Sequence, residues 1–221
     1  MVARANFKVD FIPVDEYLEF DRRAEWKYEY FNGMVWPVGE PDRLLTRDEI
    51  LDFLAGRRLE AMAGGSSKHA IIGGNIFLSL GIQLRGKSCR PFNSDLKVRL
   101  TATGLYCYPD ITIACAPIEI DDDELLLNPA IIFEVLSKST AAYDRGDKWA
   151  HYQKIESLRA YVLVSQDKRH LEIYTRQDDG SWLWHSATQG TIELPFIQCQ
   201  VNVDDVYETV EFTDDPISRA P

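Results

Sequence analysis

Two carboxylates in this chain stand where a carboxylate is costly. Asp110 lies in the run Tyr108-Pro109-Asp110-Ile111-Thr112-Ile113, and Glu134 interrupts Ile131-Ile132-Phe133-Glu134-Val135-Leu136. Both runs read as strands bound for full burial. A lone charge there loses several kcal/mol of solvation or shifts its pKa, so it survives mainly where a cation, a partner or catalysis offsets the loss. Strand side chains alternate, which puts Glu134 on one face with Ile132 and Leu136. Asp110 follows Pro109 at a strand start with Ile111 and Ile113 pointing the other way, so the two acids converge if their strands are neighbours. Hard oxygen ligands of this kind suit magnesium or manganese. Such a cation would hold a phosphate and generate hydroxide from water.

A row of polar residues follows the second strand. Thr140, Asp144, Lys148 and Tyr152 recur every fourth position, the spacing that stacks side chains on one helical face. The plain account of Asp144 and Lys148 is an exposed ion pair worth a few tenths of a kcal/mol. Beside two strand carboxylates, the same row is placed to lend an ammonium group that orients a water or offsets phosphate charge.

The composition limits what surrounds these residues. The chain has 221 residues, 45% hydrophobic and 27% charged, enough for one good core, and no linker divides it, so one domain over 1–221 is expected. No apolar stretch reaches membrane-spanning length; the longest candidate, Ala70 to Leu84, is broken by Gly73-Gly74-Asn75. The N-terminus lacks a basic segment followed by an apolar one, so no secretory signal is expected. Cys89, Cys107, Cys115 and Cys199 are scattered, without zinc spacing; a cytoplasmic chain with reduced thiols follows. A net charge of -11 argues against a passive DNA-coating protein, because neutralising phosphates supplies non-specific affinity. It leaves room for an enzyme that reaches DNA through a cation and a local basic patch. Arg85, Lys87, Arg90, Lys97 and Arg99 are candidates for that patch, with a solvated strand face as the alternative.

The elements that must position the acids can be read in order. Val14 to Glu25 suits an amphipathic helix. Asn32-Gly33 between Tyr28–Phe31 and Met34–Trp36 is a strong hairpin signal. Residues 37–60 read as a surface insertion with a short helix capped by Thr46. Ser66-Ser67 can cap a long helix from Lys68 to Leu84 that buries Ile71, Ile72, Ile76, Leu80 and Leu84, with Gly86 ending it. Strands are expected over 92–100, 106–116 and 130–136, a helix over 140–155, then strands over 160–164, 170–175 and 182–187. A last alternating stretch, 197–203, leads into a short helix. Strands and helices without strict alternation indicate an α/β (α+β) chain with a mixed central sheet flanked by helices.

Pro109-Asp110, Glu134-Val135-Leu136-Ser137-x-Ser139-Thr140, Asp144-x-x-x-Lys148-x-x-x-Tyr152 and Ala160-Tyr161-Val162-Leu163-Val164 together resemble the Uma-two family. This is a domain of unknown function grouped with restriction endonucleases in the PD-(D/E)XK nuclease superfamily. Tyr28-Glu29 with Gly33, and Met62-Ala63-Gly64-Gly65-Ser66-Ser67-Lys68-His69, extend the resemblance across roughly residues 14 to 208. It implies a restriction-endonuclease-like fold and a magnesium-dependent phosphodiesterase site, with Asp110 and Glu134 as metal ligands and Glu29 as a further acid. The superfamily places a lysine two residues after the glutamate, where this chain has Leu136. In the family that lysine comes from the next helix, here Lys148, with Lys138 ranked lower. Asp95 matches an acidic family position, in either a supporting or a metal-contacting role.

The expected function is therefore a magnesium- or manganese-dependent DNA endonuclease, a homodimer by analogy with two-fold enzymes that cut duplexes. The alternatives are a non-catalytic binding protein on the same fold and a phosphohydrolase of small nucleotides. His69 at a helix start is read first as structural or surface. Trp182 and Trp184 are read as packing or an interface rather than base stacking.

Overall fold

A computed structural model describes residues 11–59 and 66–212. Helix α1 (Val14–Arg23) has Asp15 and Glu16 in its first turn and Arg22 and Arg23 in its last, the charge order a helix dipole favours. It buries Tyr17 and Phe20 against the hairpin of β1 (Tyr28–Phe31) and β2 (Met34–Pro37). Asn32 and Gly33 both take positive φ, as a tight hairpin turn of this hand requires.

Helix α2 (Arg47–Leu54) closes a reciprocal cap: the Thr46 hydroxyl accepts from the Glu49 amide, and the Glu49 carboxylate accepts from the Thr46 amide. Residues 37–59 do more than cover the surface, since Leu45 and Ile50 are buried in the cluster around α1. Thr46→Ala is expected to cost about 1 kcal/mol, read as a lower urea midpoint with an unchanged slope.

Helix α3 (Ser67–Gln83) starts where the Ser66 hydroxyl accepts from the His69 amide. Ile72, Ile76 and Leu80 recur every fourth residue and are fully buried. Ile71, expected among them, faces outward, because one residue of offset turns a side chain about 100° from the buried stripe.

Two of the expected strands are each split. Residues 92–100 become β3 (Cys89–Asn93) and β4 (Val98–Leu100). Asn93 makes the break, its side chain accepting from the Asp95 amide and its carbonyl from the Leu96 amide. Residues 106–116 become β5 (Leu105–Cys107) and β6 (Ile111–Cys115), separated at Pro109, which has no amide to give a ladder. The halves then part company: β4 and β5 join β1 and β2 in a four-stranded sheet, while β3 and β6 join a six-stranded one.

The chain continues through β7 (Pro129–Leu136), α4 (Ala141–Tyr143), a π turn (Asp144–Lys148), α5 (Trp149–Tyr152), β8 (Ala160–Ser165), β9 (Leu171–Arg176) and β10 (Trp182–Ala187). It ends in β11 (Thr191–Leu194), a 3-10 turn (Pro195–Ile197), β12 (Cys199–Asn202) and α6 (Val203–Val206). The six-stranded sheet runs β10-β9-β8-β7-β6-β3, antiparallel except for the parallel β7–β8 pair. It is the mixed sheet the sequence implied.

Strand β7 is buried along its whole length because both of its faces are covered. Ile131, Phe133 and Val135 pack in one cluster with α3, β12 and α6. Ile132 and Leu136 pack on the other side with Tyr152 of α5 and the four-stranded sheet. Glu134 therefore projects between the six-stranded sheet and the helical segment 141–152.

The expectation of four reduced thiols is corrected. Register sets Cys89 opposite Cys115 across β3 and β6, and a disulfide joins them; Cys107 and Cys199 are free and buried. Residue spacing alone carries no strand register, which is why scattered cysteines looked unpaired. Among the described residues, no helix is long and apolar enough to cross a membrane.

Candidate active site

Strands β6 and β7 pair with Ile111 opposite Phe133 and Thr112 opposite Ile132. One step further along this register sets Asp110 beside Glu134. Asp110 Oδ2 accepts from the Val135 amide at 2.7 Å and lies 3.2 Å from His69 Nε2, so the side chain continues the ladder that the backbone of β6 leaves off. Glu134 Oε1 accepts from Lys148 Nζ at 3.0 Å and from the Tyr152 hydroxyl at 2.9 Å.

Lys148 Nζ also lies 3.2 Å from Glu29 Oε1 and 3.6 Å from Asp144 Oδ1. Glu29 reaches it from β1, where the Trp36 indole opposite in the hairpin donates to Oε2 at 3.0 Å. Glu29, Glu134, Asp144 and Lys148 are all buried. The Asp144–Lys148 pair is thus no exposed ion pair. The segment 141–152 lies on the sheet face from which Glu134 projects, so its row of fourth residues is the inward one, and Arg145, Gly146 and Asp147 take the solvent. The helix expected over 140–155 also ends early, at Tyr152, and widens at Asp144–Lys148, where the Tyr161 hydroxyl donates to the Asp144 carbonyl. Such π turns occur frequently at functional sites.

Three carboxylates around one ammonium leave a surplus of negative charge. Burial pushes the Glu134 carboxyl well above its usual range, against the pull of Lys148. Asp144 is raised for the same reason. Burial opposes the charge on Lys148, but Glu134, Glu29 and Asp144 outweigh it and hold the ammonium charged. A fixed cation with excess carboxylate beside it favours recruitment of a second positive charge. The nearby Cys107 thiol is pushed up by burial and by Glu29, which makes it inert.

These groups floor a cleft of about 560 Å³ whose walls include Lys27, Ser66, His69, Ser137, Thr140 and Gln166. Among the described residues, no group of three or more His, Cys, Asp or Glu side chains forms a ready metal cage. Asp110 and Glu134 both line the cleft, and Asp110 Oδ1 and Glu134 Oε2 take no part in the contacts above. Two hard oxygens with the remaining positions left to water and phosphate are what magnesium accepts, so the residues fit that cation.

His69 belongs to the cleft rather than to an open surface. Burial lowers its pKa, but the hydrogen bond and charge of Asp110 outweigh this and raise it. The raised value means that the pair adds stability fully below the unfolded value of about 6.5, and that this is lost as pH rises through the folded value. In an NMR titration the His69 midpoint is expected above that reference, and Asp110→Asn is expected to bring it down.

Other expected residues part from the cluster. Asp95 bonds to Lys27 and Asn93, not to Asp110 or Glu134. Lys138 is exposed. Met62, Ala63, Gly64 and Gly65 lie outside the described residues. The basic patch disperses: Lys97 is buried in an ion pair with Asp21 and over the Tyr17 and Tyr108 rings, Arg99 pairs with Asp121, and Lys87 donates to the Gln198 carbonyl. The break at Asn93 sends Arg90 and Arg99 to different sheets. Trp182 packs edge-on against Trp149, while Trp184 is half exposed. Sequence reasoning missed Gln166, which accepts from the Ser66 hydroxyl at 2.6 Å, and Tyr143, whose ring lies 5.5 Å from Lys148 Nζ. Nothing in their local patterns marks either one.

The geometry is that of a mixed-sheet, restriction-endonuclease-like fold with an acid-and-lysine cleft at the junction of β6, β7 and the following helix. A crystal structure from Anabaena variabilis ATCC 29413, described as "a putative nuclease belonging to DUF820", matches with a TM-score of 0.63 at 15% identity, covering 90% of this chain and 99% of that one. The family model "Uma2: Putative restriction endonuclease" matches residues 40–204. The chain belongs to the Uma2 family. Two uncharacterized proteins of Synechocystis sp. are similar to it: one is 31% identical over 90% of this chain and 92% of its own length, the other 27% identical over 82% and 90%.

Proposed function

We propose that this chain is a metal-dependent phosphodiesterase acting on DNA, with Mg²⁺ or Mn²⁺ held by Asp110 and Glu134. The observation that carries the reading is Lys148, 3.0 Å from Glu134, supplying from the helix an ammonium that position 136 cannot, since Leu136 is buried in the apolar layer. When bound, the cation supplies Lewis acidity toward a phosphate oxygen and the attacking water.

The chain's own groups do the rest. The Tyr152 hydroxyl and Lys148 fix Glu134 through Oε1, leaving Oε2 for the cation. Glu29 holds Lys148 from the opposite sheet. An ammonium has three donors, and the longest of the Lys148 contacts, to Asp144, is the one it can exchange for a phosphate oxygen or the attacking water. His69 bonds the far carboxylate, Asp110, and in its charged form adds a second positive group on the cleft wall. We take the active form to be a homodimer, as suits a two-fold duplex.

The acidic cleft and the net charge of -11 favour a second reading, a phosphohydrolase of small nucleotides, over a passive DNA binder. A panel of plasmid, single-stranded oligonucleotide and mono- and dinucleotides, each with Mg²⁺, Mn²⁺ or a chelator, separates them. Metal-dependent strand cleavage abolished by the chelator is the expected outcome. Hydrolysis of small nucleotides alone supports the second reading. No hydrolysis, together with no heat on titrating Mn²⁺, contradicts both and leaves a non-catalytic binding protein.

A further inference from the structure

Tyr143 closes α4 and directly precedes the π turn. Residues five apart lie about 140° from each other around an ordinary α-helix, which would turn Tyr143 away from Lys148. The π turn, whose hydrogen bonds span five residues, reduces that angle, and the Tyr143 ring comes to 5.5 Å from Lys148 Nζ. Trp36 of β2 packs against the ring edge to face, with 6.0 Å between centroids. Both side chains line the cleft. The Tyr143 hydroxyl is nevertheless buried without a hydrogen-bond partner among the described residues. Burial, and then the charge of nearby Glu29, push its pKa well above the usual phenol range, so it keeps its proton and stands as a donor. Glu29 is already provided for: the Trp36 indole donates to Oε2, while Lys148 and the Tyr108 amide approach Oε1. A buried hydroxyl left without a partner costs stability and calls for an explanation. An acceptor brought into the cleft from outside supplies one.

We propose that Tyr143 contacts the substrate: its hydroxyl donates to a non-bridging oxygen of the phosphate that the cleft receives, beside the ammonium of Lys148. The proposal rests on the reading of the cleft as a phosphodiesterase site, and it names a group that holds the phosphate on the Glu29 side. Phosphate oxygens only accept, which matches two donors set side by side, the phenol and the ammonium. A phenol also suits the charge of this place. Glu29, Glu134 and Asp144 already share one ammonium, and any further cation there would be drawn into the same ion pairs. A neutral hydroxyl donates to an incoming anion without being claimed by those acids as a counter-ion. DNA and small nucleotides share the phosphate, so the role is the same for either substrate.

The test compares the full chain with Tyr143→Phe, which keeps the ring against Trp36 and Lys148 and removes only the hydroxyl. Three measurements are made: urea unfolding, binding of a short single-stranded oligonucleotide in Ca²⁺ by fluorescence anisotropy, and kcat/KM in Mn²⁺ on whichever phosphate ester the wild type hydrolyses. The urea midpoint of Tyr143→Phe is expected to equal or exceed that of wild type, because the lost hydroxyl has no partner in the fold. Its kcat/KM and its affinity are each expected to fall about ten- to a hundredfold, the worth of one hydrogen bond to a charged oxygen. A lower urea midpoint overturns the proposal, since the hydroxyl would then serve the fold. So does an unchanged kcat/KM and affinity in a wild type that binds and hydrolyses, which leaves the phosphodiesterase reading standing. A wild type that neither binds nor hydrolyses overturns that reading and the proposal with it.

Discussion

Lys148→Met is expected to cost about 3–5 kcal/mol of folding stability, the penalty for leaving buried charges without their counter-ion. Lys148 Nζ lies 3.0 to 3.6 Å from three buried carboxylates contributed by β1, β7 and the π turn. No other ammonium or guanidinium group lies within 4 Å of these acids among the described residues. Methionine keeps much of the stem's volume, so the loss reports charge rather than a cavity. Glu134→Gln separates the two: in the Lys148→Met background it removes one of the stranded charges, and part of the loss is expected to return. Urea unfolding of the four proteins of this cycle gives the coupling. A Lys148→Met cost below about 1 kcal/mol, the range of exposed pairs, would mean that the cluster is not held together by its charges.

Glu134→Gln alone is expected to lower metal-dependent hydrolysis by about three orders of magnitude with little change in stability. If Glu134 is the ligand proposed, its loss forfeits about 4 kcal/mol of transition-state stabilisation, and each 1.36 kcal/mol is about tenfold. Stability is spared because glutamine keeps the volume of glutamate and Lys148 keeps Glu29 and Asp144 as partners. The amide still accepts from Tyr152 through its oxygen. Asp110→Asn is expected to fall by a similar factor and, unlike Glu134→Gln, to lower the His69 titration midpoint. The two substitutions thus share a kinetic effect and differ in a spectroscopic one.

Much of this arrangement was legible in the chain because strand and helix periods are local. Alternation placed Glu134 on the face of Ile132 and Leu136, and the fourfold row aligned Asp144, Lys148 and Tyr152 before any contact was known. The Asn-Gly hairpin and the Thr46 and Ser66 caps are equally local signals, and they appear where they were expected. What local patterns do not carry is register between distant strands. The Cys89–Cys115 bond, the ion pair of Lys97 with Asp21 and the wedge of His69 against Asp110 all depend on it. The strand breaks at Asn93 and Pro109 have visible causes, but the apolar runs on both sides carry the stronger strand signal. Glu29 is instructive in another way: nothing in Tyr28-Glu29-Tyr30 distinguishes it from a hairpin surface acid, and only the resemblance to the family pointed inward.

The most direct test of the central claim is plasmid cleavage in Mn²⁺ by wild type and Glu134→Gln, compared at matched fold as judged by urea unfolding. Cleavage by wild type that a chelator stops, and that falls about a thousandfold in the variant, is the predicted result. Equal cleavage by the two proteins would contradict it, because hydrolysis would then not pass through the carboxylate that β7 buries beside Lys148.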